Sequence, residues 1–245
     1  MKKIFTYFLL GLALSFSAFA NNFTLGIRLG DCPDSGSTIA PELSSAMKAL
    51  NAHPEPFEKL TSTRFLGIYG LFDIKDFDFG KLDLQVESNL NNFHFAAAYS
   101  YTIELPDGLY NTSDYYSIKY HLYGFRLDIP ILLMYSKPIG KRFEISAGLG
   151  PLLSIPIEAQ LTTTQNGPDS DVESFSHDLN DGSTLSNFGI LFDVNGKIAL
   201  GKIKIALDFR YCQDITETKF VYQGEVTPIY TRRVLNVGIG LEYRF

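Results

Sequence analysis

The sequence predicts an all-β fold, an eight-stranded antiparallel up-and-down transmembrane β-barrel with a short helix in its first outer loop. Three observations predict it. Eight segments alternate apolar with polar or small residues at a period of two. The connections between them are short and long by turns. The chain opens on a secretory-type leader and ends on an aromatic residue that completes its last apolar series.

The leader comes first. Lys2 and Lys3 precede an apolar run from Ile4 to Leu14, and Ala18-Phe19-Ala20 is a small-x-small cleavage site. The domain division expected is therefore a cleaved signal peptide over 1–20 and one barrel domain over 21–245. The run is short of the ~20 residues a spanning helix needs. No Cys follows the cleavage site, which argues against an N-terminal lipid anchor. Removing Lys2 and Lys3 leaves 19 basic and 27 acidic residues, a net charge of −8. That charge excludes nucleic acid as a partner, which requires a basic face. No later apolar run reaches spanning-helix length, so a membrane-embedded chain must cross as strands.

The strands are expected near 22–30, 63–75, 81–104, 115–136, 143–163, 184–199, 202–216 and 232–245. In the first, Phe23, Leu25, Ile27 and Leu29 oppose Thr24, Gly26, Arg28 and Gly30. The second is less regular, with Leu66, Ile68 and Phe72 as its outer face. In the third, Leu82, Leu84 and Val86 oppose Asp83, Gln85 and Glu87. In the fourth, Leu127, Ile129, Ile131 and Leu133 oppose Arg126, Asp128 and Pro130. Ile145, Ala147 and Leu149 then oppose Glu144, Ser146 and Gly148, and Phe188, Ile190 and Phe192 oppose Asn187, Gly189 and Asp193. Ile203, Ile205, Leu207, Phe209 and Tyr211 oppose Lys202, Lys204, Asp208 and Arg210. The last strand places Leu235, Val237, Ile239, Leu241, Tyr243 and Phe245 on one face. Its end, Leu241, Tyr243 and Phe245, is similar to the C-terminal assembly signal that barrel-assembly machinery reads.

The connections Asp76–Gly80, Lys137–Arg142 and Leu200-Gly201 are short and fit periplasmic turns. The others are long and polar. Strands three and four exceed the 9–11 residues a bilayer crossing needs, so His94–Glu104 and Tyr115–Leu122 are expected to rise as a hairpin above the outer surface. Parity slips near Asn91-Asn92 and Gly124-Phe125 predict bulges. In the first loop, Leu43, Met47 and Leu50 follow Pro41 at helical spacing, predicting an amphipathic helix over 41–50.

If the apolar faces meet lipid, the opposite faces fill the lumen with charge. They carry Arg28, Asp83, Glu87, Arg126, Asp128, Glu144, Asp193, Lys202, Lys204, Asp208, Arg210, Glu242 and Arg244, six basic and seven acidic. A near-balanced set reads as a salt-bridged plug. A soluble lipocalin-like carrier would place the same residues outside, and periodicity alone does not separate the two. Phe23, Tyr135, Phe143, Tyr243 and Phe245 are placed for an aromatic girdle at the periplasmic rim.

Other chemistry is sparse. Cys32 and Cys212 continue the inward parity of their strands and are a possible disulfide in an oxidising compartment, or two thiols. Asp169, Asp171, Glu173, Asp178 and Asp181 crowd one segment, but without the central Gly of a calcium loop it reads as a solvated acidic loop. Ser176-His177-Asp178 has the letters of a hydrolase triad, yet neighbours in sequence do not adopt that geometry. His53, His94 and His121 have no ligand spacing. No catalytic residue, cofactor site or metal site is expected.

Asp128-Ile129-Pro130, Tyr135 and Gly148-Leu149-Gly150-Pro151 resemble the PorT-like family of small outer-membrane barrels, in which an acidic-Ile-Pro strand leads through a tight turn into a Gly-Ala-Gly-Pro run. Met134 and Leu149 depart from that pattern. The resemblance implies an eight-stranded barrel without enzymatic activity, and one branch of the family serves protein secretion. The leading expectation is thus a non-enzymatic integral outer-membrane protein with a structural or surface-interaction role. Its expected partners are outer-membrane lipid, the assembly machinery and a surface or secretion-complex protein. A narrow pore or secretion component, a lipid-modifying hydrolase and the soluble periplasmic carrier are the alternatives.

Overall fold

The computed structural model describes residues 23–35, 38–39, 53–54, 63–104, 113–167, 170–178, 186–216, 218–222, 225–231 and 233–245. These form β1 (Phe23–Ser35), β2 (Thr38–Ile39), β3 (His53–Pro54), β4 (Thr63–Phe77), β5 (Gly80–Glu104), β6 (Ser113–Ile139), β7 (Phe143–Gly167), β8 (Ser170–Asp178), β9 (Asn187–Leu200), β10 (Ile203–Asp214), β11 (Thr218–Tyr222), β12 (Glu225–Thr231) and β13 (Arg233–Arg244). Neighbouring strands run β5-β4-β1-β13-β10-β9-β7-β6, and the β5–β6 pairing closes the ring. The result is a closed, antiparallel, eight-stranded barrel, which abolishes exposed sheet edges around its wall.

The eight barrel strands match the expected ones to within a few residues. The predicted helix over 41–50 and the signal segment 1–20 lie outside the described residues. β5 and β6 pair in one register from Lys81↔Ser136 to Glu104↔Ser113, with a gap between Val86↔Ile131 and Asn89↔Asp128, so the expected hairpin rises above the barrel. β7 is longer than expected, and β8 folds back along it from Gln160↔Asp178 to Gly167↔Ser170. The acidic segment expected to be a loop is therefore largely strand. Backbone pairing with β7 satisfies its peptide groups. β11, β12 and β2 make a separate three-stranded sheet.

Side-chain parity is inside-out relative to a water-soluble barrel. In β9 the pattern is buried at Asn187, Gly189, Leu191, Asp193, Asn195 and Lys197, and exposed at Phe188, Ile190, Phe192 and Ile198. In β10 Ile203, Ile205, Leu207, Phe209 and Tyr211 face out, while Ala206, Asp208, Arg210 and Cys212 are buried. A soluble carrier has the reverse arrangement.

One predicted irregularity is present in altered form. The register shifts at Phe125/Arg126, but the extra residue, Ile157, is on β7, because Phe125 pairs with Glu158 and Arg126 with Pro156. The pairing of β5 with β6 runs in a single register through Asn91 and Asn92, and the shift on the β4 side falls between Asp73 and Lys75. Pro130 faces the lumen and Pro151 faces out. The short turns need left-handed backbone at Gly140 (φ 70°) and Gly201 (φ 71°), which Gly adopts freely.

Candidate functional site

The barrel lumen is the candidate site, because the period-two pattern delivers most of the chain's chemistry to it. Strand alternation points Arg28 of β1, Glu87 of β5, Asp193 of β9, and Asp208 and Arg210 of β10 to the same axis. All five are almost fully buried.

At the centre, Arg210 donates from Nη2 to Glu87 Oε1 at 2.6 Å. Its Nε lies 3.3 Å from Asp193 Oδ2. Arg28 Nη1 reaches the same two acids, at 3.5 Å from Glu87 and 3.2 Å from Asp193. Gln85 and Asn89 also donate to Glu87. Asp208 adds a third carboxylate whose oxygens accept no hydrogen bond among the described residues. Charges this deep are tolerable only in paired arrangements, since an uncompensated one costs several kcal/mol, on the order of 3–5.

The network runs on toward the short-turn end. The Arg28 guanidinium sits 3.9 Å from the Tyr69 ring centroid, and Tyr69 Oη donates to Glu242 Oε1 at 3.0 Å. Lys197 Nζ is 2.8 Å from Glu242 and 3.7 Å from Glu144. Lys204 donates to Glu144 at 2.7 Å. Lys81 bridges Asp83, at 3.0 Å, and Asp73. Toward the long-loop end, Asp128 accepts from Asn91 at 2.9 Å and from Ser154, and lies 3.5 Å from Arg126.

Bulk completes the closure. Tyr69, Phe65 and Met134 lie over their pairing partners on the adjacent strands, Gly26, Gly30 and Gly148, in space that the missing Cβ atoms leave. A Cβ at Gly26 would lie 2.2 Å from Tyr69 Cζ, one at Gly30 2.4 Å from Phe65 Cε1, and one at Gly148 2.0 Å from Met134 Sδ. A cavity of about 10 Å³, lined by Asn89, Asn91, Asp128, Arg210, Cys212 and Asn236 among others, has room for roughly one water. The arrangement ties the walls together and blocks the axis.

Of the predicted lumen charges, Arg28, Asp83, Glu87, Arg126, Asp128, Asp193, Asp208, Arg210 and Glu242 are buried in the lumen, and Glu144 and Lys204 are half-buried near its end. Lys202 and Arg244 correct the expectation. Lys202 lies in the β9–β10 turn, exposed, with Nζ 5.8 Å from the Tyr243 ring centroid. Arg244 is inward by parity, but its side chain is 54% exposed and reaches Asp73 at 3.6 Å. Parity loses its meaning at the rim, where inside and outside are both wet. Lys197 was missed, although it continues the inward series Asp193, Asn195, Lys197. Tyr69 was missed because the apolar residues of its strand fall on both faces.

Cys212 is buried, and its Sγ accepts from Asn236 Nδ2 at 3.6 Å. Cys32 pairs with Thr63 along the backbone, its side chain lying outside the described residues. β13 runs between their two strands. Ser176, His177 and Asp178 are consecutive on β8 and pair along the backbone with Thr162, Leu161 and Gln160, their side chains lying outside the described residues. His94 pairs with Tyr123, His121 with Ala96 and His53 with Ser100. Among the residues described in full, no three His, Cys, Asp or Glu side chains form a metal-binding group.

At the short-turn rim, Phe23 packs between Phe72 (5.3 Å between ring centroids) and Phe245 (6.0 Å), and Tyr243 meets Phe245 edge-on at 5.0 Å. Phe77, Phe79 and Tyr135 make a second cluster, and Phe143 is exposed at the same rim. The expected girdle is thus present, with Phe77 and Phe79 as additions.

No protein-family profile and no curated protein matches the chain. Solved structures do. The outer membrane protein OprG from Pseudomonas aeruginosa is 15% identical, with 91% of this chain and 95% of that one covered and a TM-score of 0.49. Neisserial surface protein A is 10% identical over 91% of this chain and 97% of its own, with a TM-score of 0.44. Ail, the attachment invasion locus protein of Yersinia pestis, is 11% identical over 91% and 99%, with a TM-score of 0.33. Likenesses at this level say nothing about activity.

Proposed function

We propose that the chain is a non-enzymatic integral outer-membrane protein, a closed barrel that holds its long hairpins above the membrane for structural or surface-interaction purposes. The observation that carries this reading is the combination of an apolar exterior with a lumen closed by the Arg28–Glu87–Arg210–Asp193 cluster. Apolar strand faces such as Leu207, Phe209, Ile239 and Leu241 need acyl chains around them. The charges they would displace from a soluble core are instead paired inside. Export through the leader at 1–20 and assembly through Leu241, Tyr243 and Phe245 belong to the same reading, as does the resemblance to PorT-like barrels. It places the short turns in the periplasm and the hairpin β5–β6 outside.

Two measurements test it. The mature protein should partition with the outer-membrane fraction and show heat-modifiable gel mobility. In planar bilayers it should give no steady open-channel current. A steady current would favour the narrow pore or a secretion component. A folded protein that stays in solution without detergent would overturn the membrane assignment.

A further inference from the structure

The short-turn rim is not evenly charged. β6 carries Lys137 near its end, the β6–β7 turn carries Lys141 and Arg142, the β9–β10 turn carries Lys202, and β13 ends at Arg244, all exposed. These turns are adjacent, because Ala199 N donates to Arg142 O at 2.8 Å and Arg244 N to Lys202 O at 3.1 Å. Five cations thus form one arc across half the rim. Few acids answer them among the described residues. Glu144 is engaged by Lys197 and Lys204, and Asp73 is shared between Lys81 and Arg244. The exposed acids Asp76, near the end of β4, and Asp78, in the β4–β5 turn, border only the β6 end of the arc, where Tyr135 Oη donates to Phe79 O at 3.0 Å.

The arc sits directly beneath an apolar belt. Ile139 and Phe143 flank the first turn, Leu200 and Ile203 the second, and all four are exposed. Lys202 over Tyr243 fixes a cation at the level of an outward aromatic ring. Ammonium and guanidinium groups bordering an outward hydrophobic wall match an amphiphile with an anionic head and acyl tails. We propose that this arc binds the headgroups of anionic phospholipids in the leaflet facing the short turns, a site that rests on the membrane reading above. Bound there, such lipids would set the depth and tilt of the barrel on one side.

The test uses the full mature chain, folded into vesicles of phosphatidylcholine alone and of phosphatidylcholine with an equal amount of phosphatidylglycerol. Lipids retained by the extracted protein are then counted by native mass spectrometry. The expected result is folding in both vesicles, with phosphatidylglycerol retained severalfold over its bulk share. That preference should fall to the bulk ratio in K141Q/R142Q/K202Q and weaken as salt is raised. K75Q, in the opposite sector, should retain it. If the triple variant loses its heat-shifted mobility, K202Q alone should lower the preference in part. Folding with both lipids at the bulk ratio, or an undiminished preference in the folded triple variant, overturns the proposal and leaves the barrel reading intact. Failure to fold into either vesicle overturns the membrane reading and the lipid site with it.

Discussion

Glu87→Gln removes one charge and almost no volume from the middle of the lumen. Glu87 faces Arg210 at 2.6 Å and Arg28 at 3.5 Å. With an effective dielectric of ~20, these pairs are each worth roughly 5–6 kcal/mol of Coulomb energy before desolvation is counted. Desolvation cancels much of that in the intact site. In the variant the two guanidinium groups stay buried while the acids facing them fall from three to two, Asp193 and Asp208. The expected loss is therefore about 3–5 kcal/mol, the size seen when one member of a buried pair is deleted. With a urea slope of about 2 kcal/mol/M, the unfolding midpoint in vesicles should fall by roughly 2 M. Tyr emission can follow the transition, since the chain has 14 Tyr and no Trp. Glu87→Gln/Arg210→Met should recover part of the loss, because the stranded cation is removed with its partner. A midpoint unchanged within about 0.5 kcal/mol would refute the reasoning, since surface-like substitutions behave that way. It would mean that water already solvates the guanidinium groups and that the lumen is not closed.

Further predictions test other parts of the wall. Gly26→Ala places a methyl group against the Tyr69 ring and should destabilise by about 1–3 kcal/mol, a loss that Tyr69→Ala in the same chain should partly reverse, as read by denaturant midpoints. Tyr69→Phe removes one of two donors to Glu242 Oε1, Lys197 remaining at 2.8 Å, and should lower the midpoint by about 0.5–1.5 kcal/mol. Leu207→Arg, midway along β10, should cost about 2–4 kcal/mol in vesicles, and Ile203→Arg at the rim only about 0–1 kcal/mol. Equal costs at the two positions would argue against a depth-dependent lipid environment.

The fold was legible because a barrel wall repeats one rule. Each of β9, β10 and β13 states its inner and outer face residue by residue, and turn length states which end is which. The charged partners were legible as a set but not as pairs. Nothing local links Arg28 to Asp193 across 165 positions; the register through the two strands between them, β13 and β10, does. Lys197 was readable by extending parity two residues past Asn195. Lys202 and Arg244 were over-read because parity was carried past the point where the wall ends. The segment holding Asp171 and Glu173 was not legible as a strand, because polar residues enter both of its period-two series and leave no apolar stripe.

The glycines opposite Tyr69, Phe65 and Met134 mean that this interior is cast rather than filled. A packed helical core can heal a truncation, because neighbours on every side have atoms to lean in. Here one flank of each large side chain is bare backbone held rigid by the hydrogen bonds of the sheet. Cutting Tyr69 back to Ala would leave Gly26 and Gly240 with nothing to offer the gap. A single substitution could bore a shaft in which solvent replaces the phenol, and the same positions are where a designer would begin to turn a stopper into a conduit.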